Sequence, residues 1–213
     1  MSARLATILA GAAATVFLLG VSLSPAAAAP EVGKVAPDFT AVDSNGKTHK
    51  LSDLKGKIVV LEWTNHDCPY VRKHYDTGNM QKTQKHVADD GALWLTILSS
   101  APGEQGHVTS AKANELTQSR KATPTAVLHD AEGRIGRAYA ATVTPHMYVI
   151  DKDGTLKYMG AIDDKPTTRR DDVPIATNYA WAAFDAVKAG KEVNPASTRA
   201  YGCTIKYAPA PRS

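Results

Sequence analysis

The stretch that most restricts the fold runs from residue 58 to residue 73. Ile58, Val59, Val60, Leu61 and Trp63 form a short, branched, apolar run that reads as a buried strand. Thr64-Asn65-His66-Asp67 ends it with polar residues, and Cys68-Pro69 follows. Proline suits the first position of a helix, where its missing N–H has no partner to lose. A helix is therefore predicted from Pro69 to about residue 88, weakened in its middle by Asp76-Thr77-Gly78-Asn79. A buried strand feeding a helix through a short polar loop is the repeating unit of α/β folds. Here it leaves a cysteine at the helix entrance.

The alternation continues along the chain. Residues 30–56 read as an extended opening segment with a turn at Ser44-Asn45-Gly46-Lys47. Strands are predicted at 92–98 and 125–129, and helices at 108–120 and 132–140. Thr144-Pro145 opens a strand at 146–151, which Lys152-Asp153-Gly154 turns back into a strand at 155–160. Residues 162–173 read as a polar loop. The span 176–189 is an amphipathic helix with Tyr179, Ala183, Phe184 and Val187 on one face and Gly190 as its stop. Residues 194–213 form a tail. The fold class is α/β, a mixed central β-sheet flanked by helices, with one domain over 30–207 and a short tail at 208–213.

Composition removes several function classes. Charged residues make up 22% and hydrophobic residues 43% of the 213, an ordinary globular balance that excludes a disordered chain. The 25 Lys and Arg against 21 Asp and Glu alternate in sign along the chain. They form no basic stripe interleaved with aromatics, so nucleic acid is not an expected partner. One long apolar run exists, residues 5–23, preceded by Arg4 and followed by Ser24-Pro25 and four alanines at 26–29. That order is the mark of a secretory leader, with cleavage placed after Ala28 and no membrane contact after its removal. Gly11, Gly20 and the Ala-rich exit weigh against an uncleaved anchor. A periplasmic or otherwise secreted location follows, and with it an oxidising compartment. Only Cys68 and Cys203 are present, too few for a disulfide scaffold and the right number for one redox pair or one bridge.

Cys68 carries the chemistry. The free amides and dipole at a helix N-terminus favour an anion, so the thiol pKa is expected to fall and the thiolate to act as nucleophile toward disulfides and peroxides. Arg72 and Lys73, one turn on, are candidates to add positive potential. The contrasting reading is an inert cysteine packed as a small hydrophobe.

The segment 59–73 resembles the active-site strand–loop–helix of the thioredoxin superfamily, and Thr144-Pro145 resembles that fold's cis-proline turn. Four sets of residues narrow the resemblance: Asn65-x-x-Cys68-Pro69-Tyr70-Val71; Tyr139-x-x-x-x-Thr144-Pro145; Leu156-Lys157-Tyr158-x-Gly160-x-Ile162-Asp163-Asp164; and Gly202-Cys203-Thr204-Ile205-Lys206. Together they resemble the peroxiredoxin-like redoxins of the alkyl hydroperoxide reductase/thiol-specific antioxidant type, over residues 34–207. The resemblance implies a thioredoxin-like fold and an antioxidant or thiol-disulfide oxidoreductase. It implies a disulfide or peroxide substrate, an external thiol reductant as partner and no cofactor. It also implies that Pro145 shapes a groove beside Cys68 and that Thr144-Pro145 offers a strand-like edge to a substrate chain.

Two departures limit the carry-over. The second cysteine of a Cys-x-x-Cys site falls on Val71. The peroxiredoxin signature Pro-x-x-x-Thr-x-x-Cys falls on Leu61 and Asn65, so its hydroxyl donor is missing. Clearing an oxidised or mixed-disulfide Cys68 then requires another thiol, and Cys203 is the sole internal candidate, on a tail whose residues 201–206 are expected to lie strand-like over the site. A cycling pair, a permanent bridge and no bridge all stand open. Glu62, on the apolar strand, is either a buried acid aimed at Cys68 or a rim residue.

A metal-binding accessory protein is an alternative reading, with His66, Cys68 and His74 as ligands suited to copper or zinc; a non-catalytic binding module is another. His146 is either a proton shuttle or a plain strand residue. Asp163-Asp164 read as a solvated turn or helix cap, and the Lys/Arg-rich helices as solvated faces. Trp63, Trp94 and Trp181 are either core or groove-lining aromatics.

Overall fold

A computed structural model describes residues 29–209. The leader and cleavage point proposed for residues 1–28, and the last four residues of the tail, lie outside the described residues. Among the described residues no helix is long and apolar enough to cross a membrane.

The chain opens with a hairpin, β1 (Thr40–Val42) and β2 (Thr48–Lys50), joined by the predicted turn. β3 (Val59–Trp63) leads into α1 (Pro69–Asp76) and α2 (Asn79–Asp89). Then come β4 (Leu93–Leu98), α3 (Ser110–Ser119), β5 (Ala126–His129) and α4 (Arg134–Ala138). A two-residue β6 (Val143–Thr144) precedes β7 (His146–Ile150) and β8 (Leu156–Gly160), and α5 (Tyr179–Lys188) and β9 (Cys203–Thr204) close the chain.

Five strands form the central sheet in the order β5-β4-β3-β7-β8. β3, β4 and β5 run parallel, whereas β7 is antiparallel to both β3 and β8. This is the mixed α/β sheet expected from the sequence, and the fold is thioredoxin-like.

The strand alternation sorts β3 between two cores. Val59, Leu61 and Trp63 join Phe39, Ile135, Tyr139 and Tyr148 on one face. Val60 joins Val71, Val87, Trp94 and Phe184 on the other, under α1, α2 and α5. Trp63 and Trp94 are therefore core, whereas Trp181 is half-buried and stacks on His86 at 3.9 Å.

Three expectations are corrected. The helix predicted over 69–88 is two helices, because Gly78 adopts a left-handed φ of 74° and restarts the backbone there. The last helix begins at Tyr179 rather than 176, since the Asn178 side chain accepts from Trp181 N at 3.0 Å and caps it. The polar loop at 162–173 contains buried Ile162 and Asp163, and a 3-10 turn starts at Arg170. The tail carries a strand at Cys203, within the stretch 201–206 read as strand-like, and a cis Asn194-Pro195 bond.

Candidate active site

Cys68 sits where the sequence puts it, at the N-cap of α1 with Pro69 as the first helical residue. Its carbonyl accepts the helix's opening bond from Arg72 N at 2.9 Å. Asn65 shapes the loop before it: its carbonyl accepts from Cys68 N at 3.1 Å, and its side-chain oxygen accepts from Asp67 N at 3.0 Å. Asn65 thus folds the turn rather than touching the sulfur. The expected cradle of helix amides is not formed, as the sulfur makes no capping hydrogen bond to α1. Instead the Cys68 thiol donates to the Thr144 carbonyl at 3.2 Å. The extended backbone of Cys68 (ψ 120°) aims the side chain across at the β6 turn.

The Thr144-Pro145 peptide is cis. Thr144 also meets Cys203: the two are register partners in the antiparallel pairing of β6 with β9, and Thr144 Oγ1 donates to the Cys203 carbonyl at 3.4 Å. The strand-like edge expected to receive a substrate chain is thus occupied by the protein's own tail. Gly202 makes this approach feasible. Its φ is +140°, and a Cβ there would stand 1.8 Å from the Thr144 carbonyl oxygen.

Both cysteines are free thiols, Cys68 fully buried and Cys203 half-buried. Cys203 stands beside Cys68 across Thr144: the Thr144 carbonyl accepts from the Cys68 thiol, Thr144 is the register partner of Cys203, and both cysteines pack in one apolar cluster. Burial first, then the neighbouring Cys68, push the Cys203 pKa up to about 12.

Glu62 is fully buried, not a rim residue. Its carboxylate accepts from Tyr75 OH at 2.9 Å, Trp94 Nε1 at 2.9 Å, Thr96 Oγ1 at 3.1 Å and Gln84 Nε2 at 3.4 Å. These bonds, not Cys68, take up its oxygens. Burial raises its pKa against the lowering effect of the donors. His146 is bonded to Tyr148 OH at 3.3 Å, and burial drives its pKa down to about 4.

The alternative ligand set is not assembled. His66 faces a cleft lined by Arg120 and Leu116, whereas His74 is buried against Asn79 and Tyr201. Among the described residues no three His, Cys, Asp or Glu side chains are grouped to hold a metal ion. Lys73 and Asp163 are not solvated: they pair at 3.4 Å, each almost wholly buried.

The AhpC/TSA family model matches residues 32–159. The chain belongs to the AhpC/TSA family. This AhpC/TSA chain is 28% identical over 144 residues to Thioredoxin-like protein YneN of Bacillus subtilis, covering 66% of this chain and 79% of that protein. It is 28% identical over 126 residues to Thiol-disulfide oxidoreductase ResA of Bacillus thuringiensis subsp. konkukian, covering 59% of this chain and 67% of that protein. A hypothetical protein of Sinorhizobium meliloti 1021 shares the fold at a TM-score of 0.70 with 23% identity, over 85% of this chain and 97% of that one.

Sequence reasoning isolated Cys68, Thr144, Pro145 and Cys203, which meet. It named Lys73 as a source of positive potential and Asp163 as part of a motif, but not their buried pairing with each other and with Tyr201. The signal was faint: Tyr201 adjoins Gly202-Cys203, and a lysine mid-helix reads as solvated until its partners are known.

Proposed function

We propose that this AhpC/TSA chain is an exported thiol-disulfide oxidoreductase in which Cys68 is the nucleophile and Cys203 the resolving thiol. The observation that carries the reading is the meeting of two free thiols on Thr144, which accepts from the Cys68 thiol and pairs with Cys203 in the β6–β9 ladder. The ResA relative, a thiol-disulfide oxidoreductase by name, supports the same reaction class. The leader-like residues 1–28 support export, which would leave a mature domain from about residue 30.

Burial and the neighbouring Cys68 hold the Cys203 thiol up to about 12, so the first attack is assigned to Cys68. Its thiolate attacks one sulfur of a substrate disulfide, forming a mixed disulfide and releasing one substrate thiolate, which takes a proton. Cys68 then carries neither a thiol hydrogen bond nor a charge against Cys203. Two of the three causes that raise Cys203 are gone, and it becomes easier to ionise. The Cys203 thiolate attacks Cys68 Sγ and releases the second substrate thiol. Two electrons have passed to the substrate, and the protein holds a Cys68–Cys203 disulfide. An external dithiol reductant regenerates the pair. Asn65 stands where a peroxide pocket needs a hydroxyl donor, so a disulfide is the favoured substrate over a peroxide.

The test is trapping with a model peptide disulfide. Cys203→Ser should accumulate a mixed disulfide on Cys68, and Cys68→Ser should lose exchange altogether. Exchange that survives Cys68→Ser removes the reading.

A further inference from the structure

We propose that Tyr201 is a positioning residue whose hydroxyl, held in a buried cluster with Lys73, Asp163 and His74, latches the tail so that Cys203 stands over Cys68. Release of this latch uncovers Cys68. The proposal rests on the thiol-exchange reading of the pair.

The cluster joins three parts of the chain. Lys73 and His74 lie on α1, the helix that Cys68 opens. Asp163 follows β8, and Tyr201 stands two residues before Cys203. Lys73 Nζ donates to the Lys165 carbonyl at 2.8 Å, to Tyr201 OH at 3.3 Å and to Asp163 Oδ2 at 3.4 Å. The Tyr201 hydroxyl in turn donates to Asp163 Oδ1, and His74 Nε2 lies 3.3 Å from the same hydroxyl. Lys73 and His74 are at most 1% exposed and Asp163 is 2% exposed. In such surroundings hydrogen bonds to charged groups are strong, and breaking one leaves a partner unsatisfied. The Tyr201 ring adds an edge contact to Tyr70 at 5.7 Å.

Beside the cysteines the tail is otherwise held mainly by backbone: two β6–β9 residue pairs, Ile205 N donating to the Thr142 carbonyl at 3.0 Å and Ala101 N donating to the Lys206 carbonyl at 2.8 Å. Yet Cys68 is 0% exposed while Cys203 is not fully covered, so the tail is the outer layer. An incoming disulfide cannot reach the Cys68 sulfur while the tail is seated. The same seating raises the effective concentration of Cys203 at Cys68 once a mixed disulfide has formed. One hydroxyl thus bears on both access and resolution.

Tyr201→Phe tests this, because it keeps the ring and removes only the hydroxyl. Tyr139→Phe is the control: it deletes a buried hydroxyl, bonded to the Pro37 carbonyl at 2.8 Å on the opposite face of the sheet. Two readouts are used. In a Cys203→Ser background, Tyr201→Phe should raise the alkylation rate of reduced Cys68 about tenfold. With both cysteines present, it should weaken the Cys68–Cys203 disulfide against a glutathione redox buffer by about tenfold. Tyr139→Phe should lower global stability and leave both readouts unchanged. The latch is overturned if Tyr201→Phe matches the wild type or moves only as Tyr139→Phe does. Should the wild type form no Cys68–Cys203 disulfide in any buffer, the exchange reading fails, and the alkylation rates alone then decide the latch.

Discussion

At the scale of single residues, the site depends on close contacts that tolerate little change. Gly202 lies against the Thr144 carbonyl, and both sides of that contact are backbone. Gly202→Ala should therefore unseat β9, destabilise the fold by about 1–3 kcal/mol and expose Cys203 to alkylation. Thiol titration with and without denaturant measures this. A second prediction concerns Cys203 itself. Cys68→Ala removes two of the causes that hold its pKa near 12, so the value should fall toward the ordinary range, as read from thiolate absorbance against pH. Glu62 gives a third. Removing its carboxylate as Glu62→Leu strands donors on Tyr75, Trp94, Thr96 and Gln84. A loss of at least about 3 kcal/mol is expected in urea unfolding. Glu62→Gln, which resembles the protonated acid favoured by burial, should stay within about 1 kcal/mol of wild type at neutral pH.

At the scale of elements, local chemistry fixes where helices begin and end. The apolar face of α5 was legible from Ala183 and Phe184, both buried. Its start was not, because the cap is made by Asn178, whose Nδ2 also donates to Thr83 Oγ1 at 2.9 Å on α2. Losing both bonds in Asn178→Ala should lower stability by about 1–2 kcal/mol in thermal or urea melts. The strands of the central sheet were legible to within a residue or two, since buried strands announce themselves by composition. β9 was legible only as a strand-like stretch of the tail over 201–206, and β6 was not: two residues carry no periodicity, and they form a ladder only because the tail returns to the Thr144-Pro145 turn.

At the scale of the whole molecule, buried histidines tie stability to pH. Burial lowers His74 to about 3 and His146 to about 4 from an ordinary 6.5. Both are neutral in the folded protein at neutral pH. As pH falls below 6.5 the unfolded chain takes up protons that the folded chain refuses, so stability is lost. The loss should approach about 1.4 kcal/mol per pH unit for each histidine, down to their folded values. Urea midpoints should drop steadily on acidification, and His146→Gln should flatten the slope.

Family resemblance tied Thr144-Pro145 to Cys68; the sequence by itself determined the α/β alternation, the apolar strand of β3 and the cysteine at the mouth of α1. These are local signals, written in the period of apolar residues and the conformational limits of proline. Tertiary structure decided that the sulfur answers to the Thr144 carbonyl rather than the helix amides, and that the tail fills the edge beside it. It also decided that Lys73 and Asp163 are buried partners rather than solvated charges. Each of those outcomes depends on which distant groups meet, and whether a polar side chain is buried is set by partners that residue order does not display.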